Sequence, residues 1–201
     1  MTILPLASTV TQLAYVTTPD RFDAMLDFWT AAYGAGPFYE WSLAITDQQY
    51  FGEPTAIEAR FAMTYLGETQ VELMAQTNDA RSPYLDVLAA HGTPPVGGLF
   101  HHIQLAVDDY DADRRRLLAA GLREGMTAIA NGKKLCYLDG REQLGHFVEL
   151  VEPMGLEPLF DAIRDECARW DGTDRIRDYR DFARRFQAAS QANPGAEVGA
   201  G

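Results

Sequence analysis

The chain repeats itself, and that repeat limits what it can fold into more than any other feature. "QLAYV" (residues 12–16) and "HIQLAV" (102–107) are apolar, strand-like runs that each lead into an acidic, helix-forming stretch. "QVELMA" (70–75) and "FVELVE" (147–152) each close a segment on the same tripeptide, Val-Glu-Leu. Self-similarity at both ends of two segments marks a tandem duplication.

The first segment, about residues 11–76, reads as β-α-β-β-β. "TQLAYV" is its opening strand. In "TTPDRFDAMLDFWTAAYG", Phe22, Met25, Leu26 and Trp29 recur at helical spacing, Thr18 before Pro19 reads as a cap, and Gly34 as a stop. "GPFYEWSLA" reads as an aromatic-rich strand and "TDQQYFGEP" as a loop. "AIEARFAMTYLGETQVELMAQ" reads as two strands joined at "LGET". A connector, 77–100, carries a short helix in "SPYLDVLAAHG", capped by Ser82 and stopped by Gly92, and then the turn-rich "TPPVGG". The second segment, about 101–152, repeats the order: strand "HHIQLAV", helix "DDYDADRRRLLAAG", then strands "MTAIA", "KKLCYLDG" and "GHFVELVE". The expected fold class is α+β, with two tandem βαβββ modules in residues 1–152 forming a cupped mixed sheet. Residues 153–201 form a helical extension ending in the frayed tail "QANPGAEVGAG".

Four polar residues sit oddly on these apolar strands. Gln12 and His102 open the first strand of each module. Glu72 and Glu149 lie in each last strand, between valine and leucine. Period-two alternation sets each glutamate on the face opposite its apolar neighbours. If those neighbours face the helices, all four polar groups face the hollow of the sheet, and a pseudo-twofold axis brings them together. Two converging carboxylates repel and desolvate one another, a cost that a divalent cation offsets. One amide oxygen, one imidazole nitrogen and two carboxylates form a mixed set that suits Zn, Mn, Co, Ni, Fe or Mg. By the same alternation, His101 points to the other face. His91 and His146 fall at a helix end and in a turn.

"AYVTTPDRFDAMLDFW", "LGETQVEL", "HHIQLAVDD" and "GHFVEL" resemble the vicinal oxygen chelate superfamily, which includes glyoxalase I, methylmalonyl-CoA epimerase, extradiol dioxygenases and bleomycin-resistance proteins. The resemblance covers about residues 11–152 and looks most like epimerase-type members. It implies a divalent metal on Gln12, Glu72, His102 and Glu149. Epimerase-type members usually carry histidine where this chain has Gln12; the Gln, Glu, His, Glu set is similar to that of eukaryotic glyoxalase I.

The resemblance implies chemistry next to a carbonyl: a bound cation polarises the substrate and a glutamate removes the neighbouring proton. Glu149 is the first candidate base, with Glu72 on the opposite side. Glu58, an even number of residues before Glu72, is a third candidate facing the cavity, and Arg60 shares its face. Isomerase, epimerase or lyase activity is the main expectation. A metal-free binding or sequestration protein of the bleomycin-resistance type, or a metal-free acid–base enzyme, is the alternative. Phe38, Tyr39, Trp41, Phe61, Tyr65 and Tyr137 divide between core and a pocket wall for an apolar or aromatic carbonyl substrate. Lys133, Lys134 and Arg141 are the basic residues available to an anionic one.

The net charge of −12 repels phosphate backbones and anionic membranes, so no nucleic acid or membrane partner is expected. No apolar run approaches the roughly 18 residues that a membrane span requires. "MTILPLASTV" lacks the basic and apolar regions of a signal peptide. Two cysteines set no disulfide framework, so a reducing cytoplasm is the expected location, with a homodimer as the expected assembly.

Overall fold

A computed structural model describes residues 9–41 and 45–192. The first module contains β1 (Val10–Thr17), α1 (Phe22–Tyr33), β2 (Phe38–Trp41), β3 (Ile45–Tyr50), the two-residue β4 (Glu53–Pro54), β5 (Ala59–Leu66) and β6 (Thr69–Gln76). The connector helix is α2 (Pro83–His91). The second module contains β7 (Leu99–Leu105), α3 (Tyr110–Ala119), β8 (Arg123–Ala130), β9 (Lys133–Gly140) and β10 (His146–Val151). Beyond it lie α4 (Glu157–Ala168), β11 (Ile176–Asp178) and α5 (Tyr179–Ala192).

All strands join one mixed sheet, in the order β11-β2-β5-β6-β1-β7-β10-β9-β8-β3-β4. Each module therefore runs outward from its first strand to its last and then back through the hairpin: β1-β6-β5-β2 and β7-β10-β9-β8. The first strands, β1 and β7, pair antiparallel at the centre, while each pairs in parallel with the last strand of its own module. This is the pseudo-twofold arrangement expected from the repeat. The sheet curls until β2, near one edge, and β3, at the other, are joined by the four peptide units from Trp41 to Ile45. That link spans at most about 14 Å.

Helix α1 lays Phe22, Met25, Leu26 and Trp29 on the outer face of module one, against Val71, Leu73 and Ala75. Helix α3 covers Cys136, Leu138, Val148 and Leu150 on the outer face of module two with Tyr110, Leu117 and Leu118. The hollow is filled as well. Tyr84 and Val87 of α2 pack against Ala14, Val16, Met74, Tyr137 and Phe147. Leu159 and Ile163 of α4, with Phe182 of α5, pack against Tyr39 and Met63. The C-terminal extension thus lies over the β2–β5 side of the hollow and also extends the sheet through β11. No described helix is long and apolar enough to cross a membrane.

Local punctuation follows the sequence closely. Ser82 accepts from the Leu85 N–H, Asp109 from the Ala112 N–H, and Gly34 ends α1 at φ 66°. Asn131 and Gly132, both left-handed, form the tight turn between β8 and β9. Thr18 stands at the N-cap and Pro19 opens the helical stretch as expected, through a 3₁₀ turn, Pro19–Arg21, that runs into α1; the cap makes no side-chain hydrogen bond. Two readings are corrected. Most of "TDQQYFGEP" is strand, because β8 offers an open edge to which β3 bonds. His146 opens β10 rather than lying in a turn. The short strand β11 was not foreseen. The ends of the readings on "GPFYEWSLA", "MTILPLASTV" and the tail fall on residues 42–44, 1–8 and 193–201, outside the described residues.

Candidate active site

Gln12, Glu72, His102 and Glu149 come together on the four central strands, one from each of β1, β6, β7 and β10. The registers explain why. Glu72 pairs with Ala14, which pairs across the centre with His102, and Gln12 pairs with Gln104, which pairs with Glu149. Paired residues share a face, so the whole group lines the hollow. All four are buried, His102 completely.

His102 Nε2 is the hub. Gln12 Oε1 lies 3.2 Å away, Glu149 Oε2 3.3 Å and Glu72 Oε2 3.8 Å. The Gln12 amide is held with its oxygen toward His102, because its Nε2 donates to Gln70 Oε1 at 2.6 Å and Gln70 Nε2 donates to the Tyr65 hydroxyl at 2.9 Å. Gln104 Nε2 donates to Glu149 Oε2 at 2.8 Å, and Thr11 Oγ1 donates to Gln104 Oε1 at 3.1 Å. Three oxygen acceptors therefore crowd a ring nitrogen that can supply one proton at most.

The electrostatics record that shortage. Burial, and then the neighbouring Glu149 charge, push the Glu72 carboxyl well above the usual carboxylate range. The Tyr84 and Tyr137 hydroxyls, 3.2 Å apart above the site, are both pushed up by burial, and both feel Glu72 and Glu149. Among the described residues, no group of three or more His, Cys, Asp or Glu side chains is placed to hold a metal ion as it stands. Here the donors lean on one another as hydrogen-bond and ion-pair partners, and the fourth is an amide. Donors held about 2.1 Å from one ion sit roughly 3–3.5 Å apart. The Gln12 and Glu149 oxygens meet that spacing from His102 Nε2, and the Glu72 oxygen, at 3.8 Å, lies just beyond it, so the donor set suits a divalent cation in its chemistry and would draw in to bind one.

Two expectations about side-chain direction fail. Glu58 is exposed just before β5, and its backbone bonds to Asn78 and Thr77. The hairpin pairs Met63 with Glu72, an odd position with an even one, so counting even steps across the turn picks the wrong face. Arg60, which shares the face of Glu58, lies over the Phe22 ring on the outer face and pairs with Asp23 and Glu40. His101 does not point outward. The β1–β7 register slips by one residue between Ala14↔His102 and Tyr15↔Phe100. His101 is the extra residue of this bulge, and it shares the hollow with His102.

Gln70 and Gln104 were missed. Each lies two residues from a proposed ligand on the same strand, and that period was the signal available to find them. Tyr84 was missed because no local pattern shows which face of the sheet a connector helix will cover. Among the aromatics, Phe38 belongs to the outer core, Tyr39 and Tyr65 to the contact with α4, and Trp41, Phe61 and Tyr137 to the hollow. His91 bonds the Val87 carbonyl at the end of α2. Lys134 is tied to Asp111 and Glu152, and Arg141 to Asp139 and Asp86; Lys133 is exposed. Two surface clefts, of about 220 and 810 Å³, lie elsewhere: one beside α3, β8 and β9, the other along α4, β11 and α5.

A family model described as "Glyoxalase/Bleomycin resistance protein/Dioxygenase superfamily" matches residues 11–137. A methylmalonyl-CoA epimerase from Mycobacterium tuberculosis is 18% identical, covering 79% of this chain and 97% of its own, with a TM-score of 0.48. A methylmalonyl-CoA epimerase variant from Streptomyces coelicolor, in complex with 2-nitronate-propionyl-CoA, is 21% identical, covering 71% and 92%, with a TM-score of 0.47. A hypothetical protein from Bacillus halodurans is 17% identical, covering 73% and 95%, at 0.47. No curated protein matches the chain.

Proposed function

Since the chain belongs to the glyoxalase/bleomycin resistance protein/dioxygenase superfamily, we propose that it is a metal-dependent enzyme that removes a proton next to a carbonyl, in an isomerisation, epimerisation or lyase reaction. One observation carries this reading: three oxygens, from Gln12, Glu72 and Glu149, converge on His102 Nε2 in a buried centre with too few protons to satisfy them. Gln12, Glu72, His102 and Glu149 would hold the ion, drawn from Zn, Mn, Co, Ni, Fe or Mg. When bound, it would supply Lewis acidity toward two neighbouring substrate oxygens.

The protein's own groups do the rest. Glu149 is the proposed base, taking the proton at a carboxylate oxygen that Gln104 steers. Glu72 stands on the other side of the pseudo-twofold axis. As a ligand it would be held ionised, so its part is to hold the ion and to face the substrate from the side opposite Glu149. Tyr84, Tyr137, Phe61 and Phe147 exclude water around the centre. Arg141 and Lys134 are already paired with acids, which favours a compact, weakly charged carbonyl substrate, apolar or aromatic, over a large polyanion. Glu58 has no part in this scheme. A homodimer is the proposed assembly, with Phe28, Tyr33 and Phe100 as exposed apolar surface for it. The proposed setting is cytoplasmic, where the free Cys136 and Cys167 would stay reduced.

Metal content measured by mass spectrometry on untagged protein tests the reading, with His102→Ala and Glu149→Gln alongside. Near-stoichiometric divalent metal, lost in both variants, is expected. Exchange of carbonyl-adjacent protons into heavy water, followed by NMR over a panel of compact carbonyl compounds, should then be seen only in the loaded wild type. Wild type that takes up no Zn, Mn, Co or Ni would sink the metal-dependent reading. Absence of metal would favour the metal-free binding or sequestration alternative, and metal without any exchange would overturn the proton-transfer step alone.

A further inference from the structure

His101 is fully buried, yet it is absent from the set of four. The bulge in β7 brings its Nδ1 to 2.8 Å from the Nδ1 of His102, so the two rings share one proton across that contact. Its other nitrogen, Nε2, is buried and makes no hydrogen bond of ordinary geometry, but the Pro83 carbonyl acts on the ring as an acceptor and favours a proton on this side. Around it stand apolar and aromatic groups: the Phe147 ring stacks at 5.1 Å, and those of Tyr84 and Tyr137 lie at 4.9 and 5.6 Å. Full burial among these rings disfavours a charged imidazole at His101.

Two neutral arrangements of this pair exist, each with two ring protons. In one, His102 Nε2–H donates toward Gln12 Oε1, while His101 Nδ1–H donates to His102 Nδ1. His101 Nε2 is then a bare lone pair facing the Pro83 carbonyl, two acceptors with no proton between them. In the other, His102 Nδ1–H donates to His101 Nδ1, His101 carries its proton on Nε2, and the His102 Nε2 lone pair is free. Only the second can bind a cation, and it involves no net uptake or release of protons. An isolated imidazole has no such partner to hold it in that tautomer.

We infer that His101 is a positioning residue that holds His102 in the Nδ1–H tautomer and aims its Nε2 lone pair at the point where the oxygens of Gln12, Glu72 and Glu149 meet. The inference rests on the metal reading above. Partners of this kind typically change metal affinity by about 10–100-fold. The role belongs to one module only, because Gln12, the counterpart of His102, is steered by Gln70 instead.

The test uses Zn2+ alone as the probe, with titration calorimetry and 15N NMR of the imidazoles. Loaded wild type should show His102 protonated at Nδ1 and His101 at Nε2. His101→Phe keeps a ring in an aromatic pocket but removes the acceptor; its Zn2+ Kd should rise about 10–100-fold with the fold intact by circular dichroism. His101→Asn restores an oxygen acceptor and should recover most of that loss. A wild-type Kd in His101→Phe would overturn the role of His101 and leave the metal reading standing. No Zn2+ binding by wild type would overturn both. Should the Phe variant fail to fold, the tautomers of loaded wild type decide: a His101 that keeps its Nδ1 proton overturns the inference.

Discussion

Ala14 and Gln104 occupy equivalent places in the two modules. Each is the neighbour, by parallel register, of a proposed catalytic glutamate: Ala14 beside Glu72, Gln104 beside Glu149. One difference in side chain separates the two carboxyls. Gln104 donates to Glu149, whereas a methyl group offers Glu72 nothing, and burial drives the Glu72 carboxyl upward. The opposite imbalance holds at the first strands. Gln12 is steered by a chain through Gln70 and Tyr65, while the position equivalent to Gln70 is Phe147, and His102 is steered by His101. A duplicated frame places the groups symmetrically, and unlike neighbours give them different work.

The largest test of that asymmetry is catalytic. With metal supplied in enough excess to reload each variant, and occupancy measured in each sample, Glu149→Gln should lower kcat for proton exchange by about 10²–10⁴-fold. Glu72→Gln should lower it less. Equal losses would mean that the two carboxyls are interchangeable and that Gln104 does not distinguish them.

Gln104→Ala makes the surroundings of Glu149 resemble those of Glu72. Losing a donor to a charged group is worth about 1.5–3 kcal/mol, so kcat/KM should fall roughly 10–100-fold. The removed bond steers the base, so the loss should fall on kcat with KM little changed. A loss confined to KM, or an equal loss of fold stability by thermal melting, would make Gln104 a purely structural residue.

A smaller effect concerns stability without metal. The folded Glu72 carboxyl binds its proton more tightly than the unfolded one, whose ordinary value is 4.5. The folded state therefore holds more protons above that pH, and stability must fall as pH rises through the window that opens there. Melting temperature followed from pH 5 to 8 should show this decline in wild type. Glu72→Gln should flatten it, and added metal should suppress it. An identical slope in the variant would place its origin elsewhere.

The smallest effect is expected for Tyr65→Phe, which removes the end of the chain that steers Gln12. One hydrogen bond is worth about 0.5–1.5 kcal/mol, so Zn2+ affinity should weaken about 2–10-fold. No change would show that Gln70 alone orients Gln12.

The primary structure by itself determined the duplication, the β-α-β-β-β frame of each module without β3 and β4, and the four polar positions on the central strands. These follow from alternation along a strand, which is a local property of the pleat. The cap at Ser82 and the stop at Gly34 were equally local. Tertiary structure alone decided three matters. The bulge at His101 turned a residue read as outward-facing into the partner of His102, because a register slip depends on how two strands pair. The hairpin register removed Glu58 from the site, because the turn sets which parities share a face. The packing of α2 and α4 into the hollow was invisible, since the apolar face of a helix does not say which sheet surface it will cover. Burial of Glu72 beside Glu149 follows from that packing, and the chemical character of the site follows from the burial.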